Sequence, residues 1–326
     1  MADTVTLTIV IAAYNEQSAL PVMHPRLSRV LDGLDLDCRV LYVDDGSRDG
    51  TWEVLRGIAA ADPRVSLLRL ARNFGKELAL TAGLDQVYTD AAMVLDADGQ
   101  DPPELIPAFL AKWREGYDVV YGTRTRRDGE TWCKRFTAAG FYRVMRWLSQ
   151  TDIPRDTGDF RLMSRRVLDA LRQLRERQRF MKGLFTWVGY RQVSLPYERE
   201  ARLAGDTKFN YWRLWNLALE GITSFSTVPL RLATYVGVFT ALGAFAWGLW
   251  IIARTVLWGD PVQGWPSLMT VVLFLGGLQL VALGIIGEYL GRMYVESKQR
   301  PLYLISETAG AALVGASPLG DVLVGG

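Results

Sequence analysis

A chain of 326 residues and 36.5 kDa is long enough for one α/β domain and something more. With 37 Lys and Arg against 35 Asp and Glu it is almost neutral, which excludes capture of an acidic polymer through bulk charge. One histidine and two cysteines, Cys38 and Cys133, without metal spacing exclude a zinc site built on those residues.

Thr6 to Tyr14 is a run of apolar and β-branched residues that predicts a buried strand, followed by a helix over Gln17 to Leu34. Arg39 to Val43 predicts a second strand, ended by Asp44-Asp45-Gly46-Ser47, and Asp49-Gly50-Thr51 opens the next helix with Asp49 as a cap. Val65 to Leu70 and Ala91 to Leu95 predict two more strands around a helix from Lys76 to Val87. Strands alternating with helices through short polar loops give a mostly parallel, Rossmann-like sheet, which binds ligands at the carboxyl ends of its strands.

Acidic residues fall at those ends. After the fourth strand, Asp96, Asp98 and Gln100 occupy alternate positions of an extended segment and can face one hard cation such as Mg²⁺ or Mn²⁺; a plain polar turn is the alternative. Neither G-x-G-x-x-G nor a P-loop is present, so a nucleotide diphosphate needs another counter-charge, and a metal would supply it. Asp45 is a candidate ligand or a turn-capping residue, and Lys76 is a phosphate ligand or a solvated lysine at a helix start.

Beyond Tyr121 the chain turns basic with interleaved aromatics, and about Thr131 to Ser149 predicts a basic amphipathic helix suited to a membrane surface. Without a nucleic-acid motif, no nucleic-acid partner is expected. Tyr211 to Ser226 predicts an interfacial helix, and two uncharged runs, Leu232 to Ala253 and Pro261 to Gly287, predict a transmembrane hairpin. Lys208, Arg213 and Arg231 before it and Arg292, Lys298 and Arg300 after it place both ends in the cytoplasm, as expected of a multi-pass protein of the cell (inner) membrane with a cytoplasmic catalytic domain. The expected division is 1–210 catalytic, 211–230 juxtamembrane, 231–292 hairpin and 293–326 cytoplasmic tail, disordered from Thr308.

The segments Ile9 to Glu16 (I-V-I-A-A-Y-N-E), Val43 to Thr51 (V-D-D-G-S-R-D-G-T), Arg72 to Lys76 (R-N-F-G-K) and Asp96 to Glu104 (D-A-D-G-Q-D-P-P-E) together resemble the family-2 inverting glycosyltransferases of GT-A fold. Tyr121 to Arg124, Thr157 to Arg165 and Arg202 to Phe209 resemble, more narrowly, the polyprenyl-phosphate sugar synthases of the dolichyl-phosphate mannose and bactoprenyl-phosphate glucose kind.

The resemblance implies a nucleotide base near Ala13, Tyr14, Glu16 and Asp44. It also implies a metal at Asp98 and Gln100, with Asp96 toward sugar and nucleotide. Gly99 replaces an apolar residue of the usual motif and is expected to loosen the turn. Asp159 stands where related transferases keep a base. A phosphate monoester, with a second pKa of about 6, is already ionised near neutrality, so Asp159 is expected to orient substrate instead. Arg124, Arg135 and Arg202, with Lys208 in support, are expected to bind the lipid phosphate or the leaving diphosphate.

The expected activity is transfer of one sugar, preferably glucose from UDP-glucose with a GDP-sugar as the other donor, to polyprenyl phosphate. A homo-oligomer is compatible with this. The rival expectations are a processive polysaccharide synthase, whose Q-x-x-R-W motif is missing, and a non-catalytic nucleotide-sugar-binding membrane protein.

Overall fold

The computed structural model describes residues 5–124, 157–177, 179, 181–198, 228–259 and 264–310. The predicted basic and interfacial helices, together with Arg135, Arg202 and Lys208, lie outside the described residues.

Eight strands form one mixed sheet in the order β7-β5-β6-β4-β1-β2-β3-β8. They are β1 (Thr6–Ala13), β2 (Asp37–Asp44), β3 (Val65–Leu70), β4 (Ala91–Asp96), β5 (Val119–Arg124), β6 (Thr157–Ser164), β7 (Gln192–Tyr197) and β8 (Ile305–Gly310). The parallel centre β4-β1-β2-β3 is the predicted Rossmann-like unit, and β6 enters it antiparallel between β4 and β5.

Alternation along β1 sorts side chains to two cores. Leu7, Ile9 and Ile11 pack with Leu20, Met23 and Leu27 of α1 (Leu20–Asp32), Trp52 and Leu55 of α2 (Thr51–Ala61) and Phe109 of α4 (Ile106–Arg114). On the other face Val10 packs with Leu80 and Leu84 of α3 (Lys76–Asp85), Val167 and Leu168 of α5 (Arg165–Gln173), and Leu184 and Phe185 of α6 (Met181–Trp187). At Gly83 an added Cβ would sit 2.5 Å from Val10 Cγ1, so glycine lets α3 lie close on the sheet.

The predicted hairpin is present as α7 (Val228–Trp258) and α8 (Trp265–Ser297). Both are long and apolar enough to cross a membrane, and among the described residues nothing buries their spans. At about 1.5 Å per residue each is longer than a hydrocarbon core of about 30 Å. α8 therefore continues past the predicted end at Gly287 into a polar turn in which Arg292 pairs with Glu288 at 2.9 Å.

The expectation of a disordered tail from Thr308 is overturned at its start, because Ile305–Gly310 forms β8, antiparallel on β3. Without it β3 would be an open edge with unpaired amides and carbonyls. Ala71 N–H donates to Leu304 O at 2.8 Å and Ser306 Oγ to Arg69 O at 3.2 Å. Before the strand, Tyr303 OH donates to Asp85 Oδ2 at 2.9 Å. Arg177 reaches Arg300 O at 3.1 Å and Glu296 O at 3.2 Å, while its amide donates to Glu296 Oε2 at 3.1 Å. Thirteen residues after α8 thus strap the membrane helix to the sheet.

Candidate active site

Going outward from β1, the sheet order runs to β2 and β3 on one side and to β4 on the other. This makes the carboxyl ends of β1 and β4 a topological switch point, where such sheets open a crevice. Ala13 is buried at the end of β1, and Tyr14, 40% exposed, stands beyond it.

The next loops are laced together. Asn15, at φ 56°, donates its amide to Ser47 Oγ at 3.0 Å and accepts from Arg48 N–H at 3.0 Å, and Glu16 N–H donates to Thr51 Oγ1 at 2.8 Å. Asp49 takes the Thr51 amide at 3.1 Å, the expected capping role. Asp44 is fully buried, accepting from Ser47 N–H at 3.0 Å and facing Arg69 Nε at 3.2 Å.

Asp45 turns the other way, accepting from Phe74 N–H at 2.7 Å, Gly75 N–H at 2.9 Å and Asn73 Nδ2 at 3.0 Å, so both its oxygens serve the β3–α3 loop. Burial holds its pKa above the usual carboxylate range. At Gly46, φ 65°, a Cβ would meet Arg72 C at 2.5 Å, which is why only glycine lets these two loops close on each other.

The acidic turn after β4 is half-buried at Asp96 and Asp98, while Gln100 and Asp101 lie beneath it. Gln100 N–H donates to Asp98 Oδ1 at 3.1 Å. Gly99 has φ 70°, where glycine carries no steric penalty, so it shapes the turn where loosening was expected. Tyr197 OH donates to Asp101 Oδ1 at 2.8 Å, and Arg124 hydrogen-bonds to Tyr197, joining the ends of β5 and β7 to the turn. Burial and the nearby Asp96 push Asp101 up to about 6.

Lys76 is neither a free solvated lysine nor aimed at open space. Its Nζ lies 2.6 Å from Asp96 Oδ1 and 2.6 Å from Asp159 Oδ2, with 44% of its side chain exposed. Burial opposes its charge, but the two carboxylates outweigh that and raise its pKa. Asp159, on β6, is 8% exposed. Burial would raise its pKa, yet Lys76, with Lys182 and Arg161 nearby, holds it well below the usual range. Its Oδ1 is buried without a hydrogen-bond partner among the described residues.

Sequence reasoning missed what surrounds Asp159. Glu77, pushed up to about 7 by burial and by Asp159, accepts from Met181 N–H at 3.0 Å. Arg161, 4% exposed, stacks on Phe185 at 3.9 Å and donates to Gly158 O at 3.0 Å. The basic residue at α6, Lys182, gives no local signal in the sequence, because only the fold brings α6 beside β6.

A hard divalent ion fits the turn. Asp96 and Asp98 offer carboxylate oxygens, and the Lys76 ammonium already holds a cation against Asp96. Among the described residues no group of three or more His, Cys, Asp or Glu side chains is brought together, so an ion here would take its remaining ligands from an amide, water and substrate phosphates.

Acidic loops at the carboxyl ends of parallel strands, beside a carboxylate–lysine cluster and a topological switch point, mark the place where an α/β sheet of this kind binds its ligand. Residues 8–172 match Glycosyl transferase family 2, and residues 228–293 match the GtrB C-terminal hairpin. The chain is 51% identical over 307 residues to an uncharacterized glycosyltransferase of Synechocystis, covering 94% of this chain and 96% of that one. It is 46% identical over 299 residues to the bactoprenol glucosyl transferase of Shigella phage SfV (92% and 97%). A prophage bactoprenol glucosyl transferase homolog of Escherichia coli K12 is 44% identical (92% and 98%). The chain therefore belongs to glycosyl transferase family 2 and is a glycosyltransferase of GT-A fold carrying a membrane-associating hairpin.

Proposed function

We propose that the chain moves one glucose from UDP-glucose to polyprenyl phosphate, with inversion at the anomeric carbon, at the cytoplasmic face of the cell membrane. Relatives named bactoprenol glucosyl transferase, matching along nearly the whole length, support the sugar and the lipid. The observation that carries the chemistry is the Lys76 ammonium 2.6 Å from Asp159, which favours the carboxylate's ionised form and lowers its pKa. A carboxylate paired in this way is a weaker proton acceptor, which suits a nucleophile that arrives already deprotonated.

Ala13, Tyr14, Glu16 and Asp44 line the place for the nucleotide base, with Asp45 holding the loop that closes over it. Mg²⁺ or Mn²⁺, held by Asp96 and Asp98 with Gln100 beside them, would neutralise the leaving diphosphate when bound. Arg124, positioned by Tyr197, offers its guanidinium to a phosphate oxygen, and Arg135, Arg202 and Lys208 are assigned the same task. Lys76 and Lys182 screen Asp159 so that an approaching phosphate dianion is not repelled. The strap after α8 ties the hairpin to the sheet that carries the site.

A panel of UDP-glucose, UDP-galactose, UDP-N-acetylglucosamine and GDP-mannose, offered with short-chain polyprenyl phosphate and Mn²⁺, tests the reading. UDP-glucose should give the highest kcat/KM and a lipid carrying one hexose. A GDP-sugar as best donor overturns the choice of donor, a growing polymer points to the processive synthase, and binding without transfer points to a non-catalytic receptor.

A further inference from the structure

The register of β4 with β6 sets Val94 opposite Arg161. Continued by two residues, forward along β4 and back along antiparallel β6, that register brings Asp96 toward Asp159. Two carboxylates are thereby forced side by side on neighbouring strands, one assigned to the donor's metal and the other to the acceptor. Lys76, the first residue of α3, places its ammonium between them at 2.6 Å from each. Its position is firmly set, because the preceding Gly75 has φ 98° and donates its amide to Asp45. The tip is therefore delivered to the crevice floor by the same loop that borders the nucleotide place.

We propose that Lys76 is a resident cation that bridges Asp96 and Asp159 and is displaced from Asp96 by the donor's divalent ion, leaving it paired with Asp159 alone. This rests on the metal reading above and goes beyond it by coupling the two substrate sites.

A divalent ion at Asp96 and an ammonium on the same carboxylate repel each other, so both do not keep that oxygen. Once released, Lys76 has a single partner, Asp159. Asp159 Oδ1, buried without a partner among the described residues, marks the side of the cluster not yet satisfied in the bridged state. Loading of donor and metal thus prepares the acceptor side. Lys76 is a positioning residue in this scheme, acting through Asp96 and Asp159.

The test is Mn²⁺ binding by electron paramagnetic resonance on the full-length protein in detergent with UDP present, comparing wild type, Lys76→Met and Asp98→Asn. Removing the competing cation should make Mn²⁺ bind at least about fivefold more tightly in K76M, a gain that a merely structural lysine would not produce. Equal or weaker Mn²⁺ binding in K76M, with wild type binding the ion, overturns the proposal and leaves the metal reading standing. No binding by wild type overturns both.

If K76M does not fold, reductive ¹³C-methylation of wild type is read instead. Saturating Mg²⁺ should shift the Lys76 methyl resonance and leave that of Lys112, paired on the surface with Glu115, in place. An unmoved Lys76 signal overturns the proposal.

Discussion

Asp98→Asn is expected to lower kcat by about 10³-fold, the equivalent of about 4 kcal/mol of lost stabilisation on the departing diphosphate. The asparagine keeps the shape of the side chain and can still accept the Gln100 amide, so the turn survives and the thermal midpoint stays where it was. What disappears is one negative oxygen facing the place for a hard cation, and an amide is a much weaker ligand for Mg²⁺ or Mn²⁺. Turnover at graded Mn²⁺ separates the causes, since a lost ligand is partly recovered at high metal and a lost catalytic group is not. Activity within tenfold of wild type would remove Asp98 from the site.

Deleting residues 299–326 is expected to cost the second-largest effect, here on stability. The strap contributes the β3–β8 pairing, the Ala71–Leu304 and Ser306–Arg69 bonds and the Tyr303–Asp85 contact. At about 1 kcal/mol net for each hydrogen bond, a loss of about 3 kcal/mol is a modest sum for these groups. At about 2–4 °C per kcal/mol the midpoint falls by about 6–12 °C, and the bared β3 edge invites association through its free amides. Because Arg69 lies on β3 and faces Asp44, the nucleotide side should loosen as well. Arg177→Ala, which frees only the start of the strap, should show a smaller drop. A truncated protein that melts within about 2 °C of wild type would assign the strap no structural role.

The parallel core of the sheet was legible from sequence because it rests on local rules. Apolar runs such as Thr6 to Tyr14 and Val65 to Leu70 are strands by composition, and the acidic clusters mark their carboxyl ends. Observed bounds differ from the predicted ones by a few residues, as at α1, which starts at Leu20 where Gln17 was expected.

What escaped the sequence depends on contacts far apart along the chain. Lys76 and Asp159 are 83 positions apart, and only β6 inserting beside β4 makes them neighbours. β8 was missed for a related reason. Ile305 to Gly310 shows no strand alternation strong enough to stand alone, and its strand character comes from an edge 235 or more residues earlier that needs covering. The positive φ of Gly99 was not legible either, because a turn's sign of φ is not written in its neighbours.

In the proposed mechanism the nucleophile arrives ionised and Asp159 does not extract a proton. The direct test is to offer the same enzyme, UDP-glucose and Mn²⁺ two acceptors of equal chain length, a polyprenyl phosphate and the corresponding polyprenol. Transfer to the phosphate with transfer to the alcohol at least about 10²-fold slower is the predicted result, since an alcohol needs a general base and Asp159, paired with Lys76, is a poor one. Glucosylation of the alcohol at a comparable rate, abolished by Asp159→Asn, would contradict it.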